Sequence, residues 1–303
     1  MAKSGPPPAH HCACEPASIG PTTPESYHRG PERPLNPMPE PTITSRRHPL
    51  VARCRDAAAG HSGEALLEGP HLVADALAAR VPLAAIVVAE GAASKPEIQA
   101  IVTRARQQGL PVHAVTPAVL DAASPTRTPA GVLALGRLTL HDPDDLLHPA
   151  PALLAVAIDV QDPGNVGAIA RSSEAAGATG LLALGGTAHP FGWKALRGSM
   201  GSALRLPVAR QPGTLPALRA LKERGVRLVA LAARAQATLD EADLSGPLAI
   251  CAGGEGAGLP PDVVALADME LRIPMHPSVE SLNVVVATSL VLFEVARQRR
   301  RQP

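Results

Sequence analysis

From residue 153 to the C-terminus, short apolar runs alternate with segments of helical periodicity. The runs lie near residues 153–160, 180–184, 226–232, 247–251 and 269–273, and the helical segments near 165–177, 214–224, 260–267 and 282–300. Because parallel strands need connections long enough to hold a helix, this alternation predicts an α/β fold with a parallel sheet covered on both faces. Ligands of such sheets bind outside the carboxyl ends of the strands. The loops after Val160, Cys251 and Ile273 are therefore the informative ones.

The chain of 303 residues is long enough for a further domain before this module. Residues 48–138 alternate strand and helix signals, such as the apolar run "LAAIVVAE" and the amphipathic, Gly-stopped "KPEIQAIVTRARQQG". They predict a small α/β domain, and the polar, Pro-containing residues 139–152 predict a linker to the second domain, residues 153–303. Residues 1–47 contain 11 of the 33 prolines and predict a disordered tail.

Two features of that tail bear on function. The ligand-type side chains of "HHCAC", residues 10–14, are adjacent and lack the spacing of a structural zinc site, so we expect no metal there. Met38 lies shortly before the first predicted domain. We expect Met38 to be the natural translation start, in which case residues 1–37 would not be translated.

Composition excludes several classes of function. The net charge is only +1, so RNA or DNA contact has to come from local patches such as the arginines of "RQRRRQP" near the C-terminus. The aromatic residues are one Trp, one Tyr and two Phe, which excludes a sheet of base-stacking rings. No apolar run reaches the ~18 to 20 residues of a membrane span. The N-terminus lacks the apolar core of a secretory signal peptide, and the four cysteines lack the spacing of a disulfide framework. We therefore expect a cytoplasmic protein without membrane contact.

The three informative loops carry polar residues in place of a dinucleotide fingerprint. "DPGNVGAIAR", residues 162–171, opens a helix at Asn165 and places Asn165 and Arg171 where a dinucleotide site has bare glycines. "AGGEGAGLPP", residues 252–261, contains Glu255 but has Leu259 in place of the third fingerprint glycine. "SLN", residues 281–283, starts the last helix. Taken singly, the second loop is a flexible Gly-rich turn and Ser281 is an N-cap.

Taken together, "DPGNVGAIARSSEAAGA", "ICAGGEGAGLP" and "LRIPMHPSVESLNVVVATSLVLFE" resemble the three motifs of the SpoU-type (TrmH-type) RNA ribose 2′-O-methyltransferases of the SPOUT class. "KALRGSMGSALRLPV", residues 194–208, resembles the Arg-x-Ser-x-Gly segment of that family. Residues 48–135 resemble its ribosomal-protein-like substrate-binding domain. Gly254 and Val285 depart slightly from the family pattern.

The resemblance implies a C-terminal trefoil knot, a homodimer, and S-adenosylmethionine as cofactor. It assigns cofactor binding to residues of the second and third motifs: Gly253, Gly254, Gly258, Ile273, Met275 and Leu282. It assigns catalysis to residues of all three motifs: Arg171, Asn165, Glu255, Ser281 and Asn283. It implies no metal.

The roles within the catalytic set follow from chemistry. Arginine keeps its proton at ordinary pH, so we expect Arg171 to stabilise the developing 2′-alkoxide and not to act as a base. It would point at that oxygen from the first turn of its helix, with Asn165, Asn283, Glu255 and Ser281 orienting the loops. The alternative is a surface arginine paired with Glu174 or a phosphate.

The expected substrate is RNA, with large-subunit ribosomal RNA favoured over transfer RNA because of the N-terminal domain. The rival classes are a small-molecule methyltransferase, which would not need that domain, and a non-catalytic RNA-binding relative. Phe191 and Trp193 share one Gly/Pro loop. Their rings stack on a base or anchor the loop, and the sequence leaves both alternatives open.

Overall fold

The computed structural model describes residues 41–301, which belong to one compact unit built around two sheets. The first half of the described chain forms the smaller sheet, with helices between its strands. Its elements are α1 (Pro49–Ala59), β1 (Ala65–Glu68), α2 (Pro70–Ala78), β2 (Leu83–Ala89), α3 (Pro96–Gln107), β3 (Val112–Val115), α4 (Pro117–Ala123) and β4 (Val132–Gly136). The strand order is β1-β4-β2-β3, with β4 antiparallel to both neighbours and β2 parallel to β3. The predicted small α/β domain is therefore present.

Part of the predicted tail has defined structure. Ile43 forms a parallel bridge with Val115, and its N–H donates to the carbonyl of Ala114 at 2.9 Å. These backbone bonds add Ile43 to the edge of the small sheet, so the predicted disorder of residues 41–47 is wrong. The rest of the predicted tail, with "HHCAC", lies outside the described residues.

The predicted linker also packs against the fold. Residues 145–147 form a short 3₁₀ helix, and the Leu146 side chain within it is fully buried. A Cβ on Gly180 would come within 2.4 Å of Leu146 Cγ, so glycine is needed where this leucine lies on the larger sheet. The apolar residue, which the polar composition of the segment conceals, fixes the connection.

The larger sheet follows the predicted alternation of strands and helices. Its elements are β5 (Leu153–Ile158), α5 (Pro163–Ala175), β6 (Gly180–Leu184), α6 (Trp193–Ser199), β7 (Val208–Gln211), α7 (Thr214–Glu223), β8 (Arg227–Leu231), β9 (Ala237–Thr238), β10 (Leu248–Gly253), α8 (Pro261–Leu266), β11 (Met269–Arg272) and α9 (Val284–Arg299). The order is β7-β6-β5-β10-β8-β11-β9, and every neighbouring pair is parallel. The parallel sheet is confirmed; β7, β9 and α6 are additions that the sequence did not predict.

Both faces of the larger sheet are buried. Along β5, Leu153, Ala155 and Ala157 face one apolar core, whereas Leu154, Val156 and Ile158 face the other. All six side chains are at most 1% exposed. This alternation of two buried faces explains why β5 reads as a continuous apolar run.

Helix α9 is buried on one face and exposed on another. Val291, Leu292 and Val295 are fully buried, whereas Val286, Leu290 and Phe293 are 44–47% exposed. The three exposed residues are spaced by four and three positions, so they form one apolar stripe on the helix. Among the described helices, none combines the length and the hydropathy needed to cross a bilayer.

Candidate active site at the carboxyl edge of the parallel sheet

The three motif loops meet where the strand order reverses. β5 leads outward to β6 and β7, whereas its other neighbour β10 leads to β8, β11 and β9. Ligands of open α/β sheets bind in the crevice at such a reversal. The first motif follows β5, the second follows β10, and the third follows β11 and leads into α9.

Helix α5 begins two residues earlier than predicted. Asp162 caps it, because its Oδ1 accepts from the Asn165 N–H at 3.0 Å, and Pro163 occupies the first helical position. Arg171 is thus the ninth residue of α5 and lies in its third turn, so the predicted first-turn position is wrong. Six residues on an α-helix turn through about 240°, which places Asn165 and Arg171 on different faces.

A hydrogen-bonded chain of side chains connects the three motifs. Asn165 Nδ2 donates to Glu255 Oε1, and Asn283 Nδ2 lies 3.5 Å from Asn165 Oδ1. Asn283 Oδ1 also accepts from the Val285 N–H at 2.8 Å and so caps α9. Asn283 is therefore the N-cap, and the N-cap alternative for Ser281 is wrong.

The Gly-rich loop after β10 closes on itself so tightly that glycine is required. A Cβ on Gly253 would lie 2.2 Å from the carbonyl carbon and oxygen of Gly258, and a Cβ on Gly254 would lie 2.3 Å from the carbonyl oxygen of Asp159. The Gly258 N–H donates to the Gly254 carbonyl at 3.1 Å, and Gly258 has φ +67°. These contacts fix the backbone of the loop beside the end of β5.

The third motif offers free backbone donors. The N–H groups of Ile273, Met275 and Leu282 make no hydrogen bond within residues 41–301, and all three residues are half-buried. Half-buried N–H groups without partners suit the polar edge of a bound ligand.

The one cysteine in the second motif is not a nucleophile at neutral pH. Burial raises the pKa of the Cys251 thiol on β10 to about 12.

The structure does not bring Arg171 and Ser281 into this chain of side chains. Both are exposed, and neither side chain makes a hydrogen bond or ion pair in the described part of the chain. Arg171 does not pair with Glu174 either. Arg205 holds that carboxylate through two bonds of 2.6 and 2.9 Å and lowers its pKa.

The Arg-x-Ser-x-Gly segment covers the end of α6 and the turn after it, and α6 packs closely against α5. A Cβ on Gly167 would lie 2.2 Å from the Ala195 carbonyl oxygen, and a Cβ on Gly198 would lie 3.1 Å from the Gly164 carbonyl oxygen. In the preceding loop Phe191 is buried, which favours an anchoring role for that ring. Trp193 is half-buried, with Lys194 Nζ 5.7 Å from its ring centroid.

One link between motifs was missed by sequence reasoning. The hydroxyls of Ser172 on α5 and Ser289 on α9 are 2.6 Å apart. Ser172 follows Asn165 by seven residues and therefore lies on the same helix face. That spacing was the available signal.

Two family models match the chain. The model of the SpoU rRNA methylase family matches residues 152–293, and the model named RNA 2′-O ribose methyltransferase substrate binding matches residues 66–137. The matches fall within or beside the two predicted domains, whose boundaries stay predictions. The chain is also 36% identical over 278 residues to the "Uncharacterized tRNA/rRNA methyltransferase" of Mycobacterium marinum, covering 90% of this chain and 89% of the relative.

Solved structures share the fold over most of the described chain. A crystal structure of an RNA 2′-O ribose methyltransferase has a TM-score of 0.72 and 33% identity, and covers 86% of this chain and 100% of that one. The AdoMet-bound rRNA methyltransferase of Sinorhizobium meliloti has a TM-score of 0.74 and 28% identity, and covers 85% of this chain and 98% of that one. The chain therefore belongs to the SpoU rRNA methylase family.

Proposed function

We propose that this protein transfers the methyl group of S-adenosylmethionine to a ribose 2′-hydroxyl of RNA, and that its substrate is large-subunit ribosomal RNA. The observation that carries the proposal is the convergence of Asn165, Glu255 and Asn283, one from each motif, at the switch point of the sheet. The N-terminal domain and the rRNA methyltransferase from S. meliloti support ribosomal RNA. Transfer RNA is the second candidate, because the M. marinum relative is named for both substrates.

The residues around the switch point fit S-adenosylmethionine. Adenine needs an apolar slot and hydrogen bonds along its edge. The free N–H groups of Ile273, Met275 and Leu282 can donate those hydrogen bonds. The closed loop containing Gly253, Gly254 and Gly258 would form the opposite wall. When bound, this cofactor supplies an electrophilic methyl group on a sulfonium.

Arg171 is the residue to which we assign stabilisation of the attacking oxygen. Its guanidinium is exposed and unpaired in the described chain, so no internal carboxylate competes for it. A fixed cation beside the 2′-oxygen lowers the cost of developing negative charge there. Asn165, Glu255 and Asn283 act as positioning residues by joining the loops, and Ser281 lies on the same third-motif loop.

We further propose that the active form is a homodimer built on α9. The exposed stripe of Val286, Leu290 and Phe293 is unusual for the surface of a monomer. A second copy of the chain packed there would cover it. This contact lies on the helix that carries Asn283, so assembly and the site would be coupled. We also propose that the C-terminal part of the chain forms the trefoil knot that the family resemblance implies.

Two measurements test the function. Equilibrium binding of labelled S-adenosylmethionine separates a methyltransferase from a non-catalytic RNA-binding relative, and methyl incorporation into bulk RNA separates RNA from small-molecule substrates. Mapping 2′-O-methyl sites in ribosomal and transfer RNA from a deletion strain then identifies the RNA. Loss of a transfer-RNA methylation alone would contradict the ribosomal assignment.

A further inference from the structure

A cavity of about 420 Å³ lies between the small-sheet domain and α6. The start of α2 and the loop after α4 line one side, and Arg197 and Met200 at the end of α6 line the other. Its volume is within the range of small-molecule sites, roughly 300 to 1,000 Å³. Because both domains form its walls, the cavity exists only where they meet.

Glu68 provides an unsatisfied acceptor in the wall of the cavity. Its Oε1 accepts from the hydroxyls of Ser124 and Thr126 at 3.0 and 2.5 Å, which fixes the carboxylate. Its Oε2 is buried and has no partner in the described chain. A buried carboxylate oxygen without a donor is costly, and a ligand that donates an N–H there would remove that cost.

Two arginines provide positive charge in the same cavity. Arg127 and Arg197 line it from opposite domains, both are exposed, and neither makes an ion pair or hydrogen bond in the described chain. Helix α2 starts beside them at Gly69 without a side-chain cap. Unpaired guanidinium groups at a cavity suit a phosphate, whereas the carboxylate deeper in the wall does not.

Met200 adds an apolar surface with an unusual backbone. It is 43% exposed and has φ +49°, the left-handed region that non-glycine residues seldom adopt. Residue 201 is a glycine, and an added Cβ there would lie 2.0 Å from Asp75 Oδ2. The chain after α6 is therefore held against α2. The thioether is thereby presented to the cavity, where a planar ring can pack on it.

We propose that this cavity binds one unpaired nucleotide of the RNA substrate, with its base edge donating to Glu68 Oε2 and its phosphate held by Arg127 and Arg197. This inference rests on the proposed function, because it takes RNA as the substrate. Unstacked bases are the usual targets of sequence-specific RNA recognition. The cavity is also connected to the candidate active site. Arg197 precedes Gly198, which packs on Gly164, the residue before Asn165.

The methionines allow a direct test by NMR of methyl-labelled protein. The chain contains five, of which Met200 lines the cavity, whereas Met269 and Met275 lie on or after β11. The probes are the four nucleoside 5′-monophosphates and single-stranded hexaribonucleotides. We expect the hexaribonucleotides to shift the Met200 methyl resonance and to bind more tightly than the monophosphates. Met269 should be unaffected.

Three variants address the cavity by different means. Glu68→Gln places an amide where the base donates, and Ala130→Leu narrows the cavity without touching the bonds to Ser124 and Thr126. Each should weaken hexaribonucleotide binding by about tenfold or more, as expected for loss of one charged hydrogen bond or of the contact surface. Arg106→Ala, an exposed arginine of α3 outside the cavity, is the matched control for Arg197→Ala, which should weaken binding similarly.

Several results would overturn the proposal. An unchanged Met200 resonance at saturating RNA would exclude the cavity, and so would full RNA affinity in Ala130→Leu. Monophosphates that bind as tightly as hexaribonucleotides would make the ligand a free nucleotide and not RNA. S-adenosylmethionine binding is measured on the same samples. A protein that binds this cofactor and methylates RNA, but shows no Met200 shift, separates failure of this inference from failure of the proposed function.

Discussion

The side-chain amide of Asn165 donates a hydrogen bond to the carboxylate of Glu255, although 90 residues separate them along the chain. The bond joins the start of α5 to the Gly-rich loop after β10. Asn165 Oδ1 also lies 3.5 Å from Nδ2 of Asn283, which caps α9. A displacement of either partner would therefore be transmitted to the other motifs.

We expect Asn165→Ala and Glu255→Ala each to lower the single-turnover methylation rate by on the order of 10²-fold, the effect of a small misplacement at a reaction centre. The double variant should be little slower than either single variant, because the same bond is lost in all three. Glu270→Ala, at an exposed carboxylate on β11, is the control. Additive losses would show that the two residues act independently.

Arg171 separates chemistry from cofactor binding. Arg171→Ala should reduce turnover by about 10² to 10³-fold and leave S-adenosylmethionine affinity nearly unchanged, since its charge acts in the transition state. Arg171→Lys should also be slow, because a flexible ammonium does not reproduce the planar fork. Arg219→Ala, on the exposed side of α7, is the control. Near wild-type methylation by Arg171→Ala would remove this residue from the site.

Gly253→Val should show the opposite behaviour. Its Cβ would overlap the Gly258 carbonyl at 2.2 Å, so the loop cannot keep its conformation. We expect loss of S-adenosylmethionine binding first, measured by equilibrium titration. A variant that binds the cofactor normally but fails to methylate would place Gly253 outside the cofactor site.

The exposed stripe of α9 predicts the oligomeric state. Light scattering at micromolar concentration should give a dimer, and Leu290→Asp with Phe293→Asp should give a monomer. Burying one such side chain is worth about 1.5 to 3 kcal/mol, and each change occurs twice in a symmetric dimer. Val279→Asp alters an equally exposed apolar residue outside α9 and should leave the mass unchanged. A wild-type monomer would contradict the proposal.

Arg205 joins three elements through two carboxylates, which predicts a pH dependence. It pairs with Glu174 on α5 and lies 3.3 Å from Asp75 on α2. Because these groups are partly exposed, Glu174→Gln should lower the free energy of unfolding at about pH 7 by only about 0.5 to 1 kcal/mol.

The sign of the pH effect follows from the lowered pKa of Glu174, which the hydrogen bonds from Arg205 cause. The stabilisation is complete above the unfolded value of about 4.3 and is lost as the pH falls through the lower folded value. Urea titrations of wild type and Glu174→Gln should therefore converge below about pH 4. A gap that widens in acid would be the opposite result. Glu90→Gln, an exposed carboxylate on a turn, serves as the reference.

A chain that begins at Met38 should keep full activity and stability. It retains Ile43, whose backbone bonds to Ala114 and Thr116 extend the small sheet. Thermal unfolding and methylation of the full and shortened chains provide the comparison. A marked loss of either property would reveal a role for residues 1–37.

The sequence by itself determined that the sheet is parallel and how its main strands and helices alternate along the chain. Runs such as β5 are buried on both faces, and their apolar character is local information. The same reasoning placed the three motifs at the carboxyl edge, because that edge follows from strand direction alone. Strand β7 escaped prediction since it is a four-residue edge strand containing exposed Arg210, and α6 has only seven residues. Segments so short carry too few positions for a period to be recognised.

Only the tertiary structure decided which of the motif residues touch. Asn165 and Arg171 belong to one motif, yet they lie on different faces of α5. The Asn165 side chain bonds to Glu255, whereas the Arg171 side chain is exposed and unpaired in the described chain. The ion pair of Arg205 with Asp75 and the cavity lined by Glu68 and Arg197 lie between domains, whereas the bond of Arg205 to Glu174 joins two segments of the second domain. In the sequence these are ordinary charged residues. Their partners are set by the packing of distant segments, which no local pattern encodes.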